Sequence, residues 1–295
     1  VKPFPGGAVG FVSYDAIRYF EKIPDSNPEI YPVPDMLFLF PSEIIIFDRA
    51  KKAVDLIVYY QDSPPRQRIE LLIKTIEEKK EVLPRGFFVT GQTVTNLEKS
   101  SFSEMVRKAK EYIKQGDIFQ VVLSRILSSS YKGNPMVLYR KLRRTNPAPF
   151  MYFMRFKDLF LLSSSPEILV ELKGKEAISR PLAGTRKRGS SPKEDMKLEK
   201  ELLADEKERA EHIMLVDLAR NDLGRVCEPG SVRVPELLKV ERFAKVMHIV
   251  STVKGTLRED RDCFDLFQAT FPAGTVSGAP KVRAVSYTHL TLPTN

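Results

Sequence analysis

Residues 150–182, FMYFMRFKDLFLLSSSPEILVELKGKEAISRPL, decide the fold class. Short apolar runs are separated by turn signals at Lys157-Asp158 and Gly174. That pattern predicts an antiparallel meander. On the carboxy-terminal side, a long helix is predicted from Pro192, well placed at a first turn, to about Asp222. Strand-like VRVPELLKVERF (232–243) leads into KVMHIVSTVKGTL (245–257), and a short helix, DCFDLFQATF (262–271), precedes the small-residue loop PAGTVSGAPK (272–281). On the amino-terminal side, NPMVLYRKLRR (134–144) reads as a helix stopped by NPAP (146–149), and DIFQVVLSRILSSSY (117–131) as a strand. Ser101 and Glu104 form a capping-box pattern for a helix running to Gln115, and GQTVTNLEKSS (91–101) reads as a linker. RQRIELLIKTIEEKK (66–80) is an amphipathic helix, and SEIIIFD (42–48) with AVDLIVYY (53–60) reads as a hairpin. Strand runs mixed with long helices predict an α+β fold with a large antiparallel sheet.

The chain has 295 residues, 42% of them hydrophobic, enough for a sizeable core in one large domain or two small ones. No run of about 18 apolar residues occurs, so no membrane helix is expected, and no signal-peptide pattern precedes PGGAVGF (5–11). Cys227 and Cys263 lack metal-type spacing, which predicts reduced, buried thiols and a cytoplasmic protein. The net charge of +9 is scattered among 38 acidic residues without aromatic–basic alternation, so nucleic-acid binding is not expected. A basic surface equally suits a small polyanionic substrate.

Residues 205–215, DEKERAEHIML, pose a sharper question. On a helix, Glu208 and Glu211 fall one turn apart, on the stripe that continues through Leu215 and Leu218. Charges normally avoid the apolar stripe. Two inward carboxylates need a cation, and Mg²⁺ suits them because it takes hard oxygen ligands and keeps waters for a substrate to displace. The alternative is pairing with Lys or Arg on a solvated face. His212 beside them lacks the two-histidine spacing of a zinc protease helix.

Other signals are weaker. GTVSGAPK (274–281) does not fit a phosphate loop, though its small residues permit close backbone approach to an anion. RPLAGTRKRG (180–189) reads either as a binding turn or as a turn with a solvated basic tail. His248, in KVMHIVSTV, is either a satisfied core histidine or a catalyst.

Together these segments carry a resemblance. GDIFQVVLSR, NPAPFMYF, SSSPEILV, RPLAGTRKRG, LLADEKERAEHIMLVDLARNDLGRV, KVMHIVSTVKG and FPAGTVSGAPKVRA occur in this order. They resemble the chorismate-utilising enzymes, and most closely the anthranilate synthase component I branch, over roughly residues 1–285. The resemblance implies the family fold, large antiparallel sheets flanked by helices and incomplete here. Residues 1–95 would be a remnant of the amino-terminal region, 96–285 an incomplete chorismate-binding domain, and 286–295 a non-native tail.

The resemblance also implies chemistry. Mg²⁺ held by Glu211, with Glu208 close by, would bind the ring carboxylate of chorismate. Ammonia from a partner glutamine amidotransferase would add to the ring, and pyruvate would leave to give anthranilate, the first committed step of tryptophan biosynthesis. His248 matches a family histidine near the leaving hydroxyl; Gly184, Thr185 and Thr275 match positions that contact the ring or its carboxylate. Where water-using relatives carry a lysine base, this chain has Gln120; an amide cannot take that proton. Where aminodeoxychorismate synthases commonly carry a nucleophilic lysine, it has Ala183. Both departures favour anthranilate synthase over aminodeoxychorismate synthase; a catalytically dead amidotransferase-docking scaffold stays open as the alternative of another class. Pro149, Phe150 and Met151 match part of the family's tryptophan feedback pocket, whose L-L-E-S-type segment would precede Val1, so intact inhibition is not expected. After KVRA the family's helix, its R-G-x-Y-x-G segment and its second glutamate pair are missing, and VSYTHLTLPTN (285–295) shows no amphipathic period. This chain is therefore expected to be inactive or nearly so.

Overall fold

The computed structural model describes residue 4 and residues 6–24, 31–78 and 86–291, with side chains to residue 288. By its contacts the chain divides into residues 1–16 with 33–84, and residues 17–32 with 85–295. In the first unit, Val9–Val12 pairs antiparallel with Met36–Leu39, and Glu43–Asp48 with Ala53–Val58, the expected hairpin. Arg68, on the helix Arg66–Glu78, makes a forked ion pair with Glu43. Residues 79–80 of the predicted helix lie outside the described residues.

The second unit is organised by Val246–Thr256, the most buried strand, with Met247, Ile249 to Val253 and Gly255 all buried. Arg233–Arg242 pairs antiparallel with it, from Arg233 opposite Lys254 to Arg242 opposite Met247. Glu176–Ser179 and the start of Leu182–Lys187 pair with it in one continuous register, Glu176 opposite Thr256 and Leu182 opposite Val250. Glu171–Lys173 completes the five-stranded sheet. The hairpin Phe150–Phe156 with Leu159–Ser165 turns at Lys157-Asp158 as predicted, but stands as its own two-stranded sheet rather than joining the meander.

Two helices cover the sheet. Ser191 caps the first, Pro192–Ala204, by accepting from Glu194 N. The single long helix expected from 192 to 222 breaks at Asp205. There the backbone leaves helical geometry (ψ 108°) and the carboxylate accepts from Glu208 N at 3.1 Å, capping Glu206–Gly224. Asp favours such a cap over a helix interior. Val216, Ala219 and Leu223 of the second helix pack with Val253, Leu257 and Leu266 to form the main core.

Several local expectations are corrected. The strand predicted over 117–131 divides into Gln120–Val121, Leu127–Ser128 and Tyr131–Gly133. Each piece has a different antiparallel partner: Gly278–Ala279, Val94–Thr95 and Phe87–Val89. The segment read as a linker therefore supplies a strand. The helix Lys99–Lys114 begins before Ser101 without a side-chain cap, and Glu104 instead pairs with Arg107. The small-residue loop contains the helical turn Gly274–Ser277. The segment after KVRA belongs to the helix Lys281–Thr291, in which Val285, Tyr287 and Thr288 are buried. Tyr287 stacks on Tyr112 (3.9 Å between centroids) and donates to Asp117 at 2.9 Å; residues 292–295 lie outside the described residues. Cys227 is buried, but Cys263 is exposed; both are free thiols. Among the described residues no helix is long and apolar enough to cross a membrane.

Candidate active site

Asp205 starts the helix that carries the carboxylate pair. Glu208 and Glu211 are both half-buried, on the face that continues into buried Leu215. Their partners differ. Arg186 Nη1 lies 3.6 Å from Glu208 Oε1. Among the described residues no cation pairs with Glu211: Oε1 accepts from the side-chain amide of Gln120 at 3.2 Å. Gln120 is brought there by the pairing of its strand with Gly278–Ala279. Its Oε1 is buried and has no hydrogen-bond partner among the described residues.

Next to Glu208 the sheet is deformed. Ala183 lies opposite Ile249 and Thr185 opposite His248, so Gly184 is the extra residue of a bulge, at φ 70°. A Cβ at Gly184 would lie 3.2 Å from Glu208 Oε2, Ile249 Cδ1 and Leu202 Cδ1. The bulge turns the Gly184 carbonyl onto His248 Nδ1 at 3.0 Å, where Thr185 Oγ1 also lies at 3.0 Å. A carbonyl only accepts, so Nδ1 carries the proton and the lone pair of the neutral ring is on Nε2. Phe243 packs against the ring, with centroids 5.4 Å apart.

Thr275 leads to a residue that the sequence reading did not single out. Its hydroxyl donates to Glu167 Oε1 at 3.1 Å. Burial pushes the Glu167 carboxyl up to about 7, against which the Thr275 bond acts in the lowering direction. Beside them is a cavity of about 30 Å³, also lined by Ser179 and Asp222, large enough for about one water. The available signal was an acid directly after Pro166, within SSSPEILV.

The structure thus joins Gln120 to Glu211, Gly184 and Thr185 to His248, and Gly184 to Glu208. It places Thr275 beside Glu167 and buries Ala183 on the same strand as Gly184. Pro149, Phe150 and Met151 make no bond to this group. Pro149 and Phe150 are exposed, and Phe150 and Met151 open the separate hairpin. A groove of about 870 Å³ runs along another face of the helix past Arg209, Ile213 and Met214 and is not lined by the carboxylate pair. His212 also points away. It is fully buried, with Nε2 2.7 Å from Ser251 Oγ, and burial lowers its pKa to about 4.

The pair suits a hard divalent cation. Two carboxylates sit one turn apart, a buried amide oxygen beside them lacks a partner, and the Cβ-free face of Gly184 leaves room at Glu208. Among the described residues no three His, Cys, Asp or Glu gather to hold a metal alone. The remaining ligands would be water and substrate oxygens, as Mg²⁺ tolerates.

A bulge in the antiparallel sheet thus sets one glycine against a helical carboxylate and against His248, bringing hard oxygen donors near a histidine. The chain belongs to the chorismate binding enzyme family, whose model matches residues 1–290. It is 46% identical to the anthranilate synthase component 1 of Aquifex aeolicus, over 96% of this chain and 59% of that protein. It is 41% identical to the aminodeoxychorismate synthase component 1 of Bacillus subtilis, over 96% of this chain and 61% of that one. The crystal structure of anthranilate synthase component I from Streptococcus pneumoniae TIGR4 superposes with a TM-score of 0.88 at 38% identity, covering 99% of this chain and 66% of that one. The chain therefore spans about three-fifths of the length of the curated relatives it matches.

Proposed function

We propose that this chain carries the chemistry of anthranilate synthase component I, a carbon–oxygen lyase of tryptophan biosynthesis that turns chorismate and ammonia into anthranilate and pyruvate. The observation that carries this reading is the neutral amide of Gln120 on Glu211, with the methyl group of Ala183 on the strand opposite His248. Neither position offers an amine to attack the ring or to deprotonate water, which disfavours those two routes and, with the likeness to anthranilate synthase component 1, supports ammonia as the nucleophile.

In the first half-reaction the nitrogen lone pair forms a bond to C2, the ring double bonds shift as the C4–O bond breaks, the new C2 ammonium releases a proton to solvent, and the hydroxyl takes up a proton and leaves as water. Glu167 can hold a proton near neutral pH, and we assign it delivery of that proton, with Thr275 fixing its carboxyl. His248 Nε2 is the polar contact for the same hydroxyl, donating only as imidazolium. Gly184 and Thr185 line the ring side. Glu208 and Glu211 would hold Mg²⁺, which when bound supplies a Lewis acid to the ring carboxylate. The C2 proton then leaves, the ring-carbon-to-oxygen bond of the enolpyruvyl ether breaks, and the released fragment takes up a proton as pyruvate while the ring becomes aromatic. Ammonia would come from a glutamine amidotransferase partner in the cytoplasm, and Pro149, Phe150 and Met151 are candidate contacts for tryptophan as inhibitor. With two carboxylates for the cation among the described residues, turnover by this chain is expected to be slow or absent.

Aminodeoxychorismate synthase is the second reading, supported by the 41% identical relative. The test has two parts. Calorimetry with chorismate, with and without Mg²⁺, should show metal-dependent binding that is lost in Glu211→Gln; its absence overturns both readings. Any turnover with ammonium should yield fluorescent anthranilate directly. A product that becomes aromatic only after a lyase is added selects the second reading.

A further inference from the structure

We propose that Arg186 is the resident counter-cation of the carboxylate pair, displaced from Glu208 when a divalent cation loads. The inference rests on reading Glu208 and Glu211 as a Mg²⁺ site. Arg186 directly follows the bulge, and its guanidinium has three partners. Nη2 donates to Asp205 Oδ2 at 2.8 Å and Nη1 to Thr185 O at 3.0 Å; both are hydrogen bonds. Nη1 lies 3.6 Å from Glu208 Oε1, an ion-pair distance too long for a hydrogen bond.

The two short bonds fix the guanidinium to the cap of the helix and to the strand that faces His248. The contact with Glu208 is electrostatic only, so Glu208 can turn toward a cation while Arg186 keeps Asp205 and Thr185. Without metal, the guanidinium offsets the repulsion of two half-buried carboxylates. With metal, it competes for Glu208. Glu211 differs, because the neutral amide of Gln120 brings no competing charge. Glu211 is therefore the permanent ligand and Glu208 the exchangeable one.

The test is Mn²⁺ binding followed by electron paramagnetic resonance on the full chain, for wild type, Arg186→Gln and Glu211→Gln. Arg186→Gln should bind about two- to fivefold more tightly, in keeping with the weakness of a partly exposed ion pair. Glu211→Gln should lose binding. Unchanged or weaker binding by a folded Arg186→Gln, with Glu211→Gln still defective, overturns the inference and leaves the metal reading standing. No binding by the wild type overturns both. A second measurement reads Arg186 in place: the ¹⁵N-arginine spectrum of the wild type during Mg²⁺ titration. The Arg186 side-chain signal, identified by its absence in Arg186→Lys, should shift with metal in wild type and stay fixed in Glu211→Gln. A signal that ignores Mg²⁺ under saturating Mn²⁺-competent conditions overturns the inference.

Discussion

Gln120 Nε2 donates to Glu211 Oε1 at 3.2 Å across 91 residues of chain. The bond fixes the carboxylate from outside its own helix, as outer partners of metal ligands do. Gln120→Leu keeps the volume and removes the donor. Divalent-cation affinity should fall about 10- to 100-fold, measured by Mn²⁺ titration. An affinity within twofold of wild type would show that Glu211 needs no such partner.

Gly184→Ala tests the bulge. The new Cβ would sit 3.2 Å from three atoms at φ 70°, where L-residues other than glycine are strained. Urea unfolding should show a loss of about 1–2 kcal/mol from the backbone conformation alone. Because one of the crowded atoms is Glu208 Oε2, cation binding should weaken as well. A variant as stable as wild type would mean that the strand relaxes around the methyl group.

Glu167 should give the protein an acid-side stability maximum. Its folded carboxyl titrates near 7 because burial disfavours the charge, against an ordinary 4.5. Below 4.5 both folded and unfolded forms hold the proton, and this contribution is fully present. As pH rises from 4.5 to 7 the unfolded chain releases its proton first, and stability falls by about 3 kcal/mol. Glu167→Gln should flatten that window in denaturant midpoints taken from pH 4.5 to 8. An unaltered slope would assign the dependence to other groups.

Lys281 and Asp222 form a buried pair, Nζ to Oδ2 2.7 Å, with Nζ also donating to Thr270 O at 2.7 Å. Desolvation raises the Asp222 pKa and lowers that of Lys281, each opposed by its partner's charge. Lys281→Met strands a carboxylate and should lose about 3–5 kcal/mol. Adding Asp222→Asn should recover much of that loss in urea melts. A single variant within 1 kcal/mol of wild type would show the carboxylate finding water instead.

What could be read from the sequence was what local chemistry determines. The Glu43–Val58 hairpin, the start of a helix at Pro192 and the turn at Lys157 each announce themselves within a few residues. Helical spacing put Glu208 and Glu211 on the stripe of Leu215 but left open a solvated face paired with Lys or Arg; only the structure shows both half-buried, with Arg186 beside Glu208 alone. The break at Asp205 was present as a cap signature, Asp205 with Glu208 three residues on, but helix formers on both sides concealed it. Glu167 was missed because no local pattern says that a carboxyl after a proline will be buried against Thr275, 108 residues away. The final helix was missed because its packing depends on a tyrosine stacked from another helix, not on a periodic stripe.

The Val246–Thr256 strand has a consequence for how the chain is born. Thr185 and His248 are 63 residues apart. At roughly 5–20 residues per second of synthesis, the second follows the first by about 3–13 s. For at least that interval the strand bearing Ala177 and Ile178, both buried in the finished sheet, waits on the ribosome with Glu171–Lys173 on one side and its other edge open. That is time enough for a chaperone to reach it, or for two nascent copies on one message to find each other first.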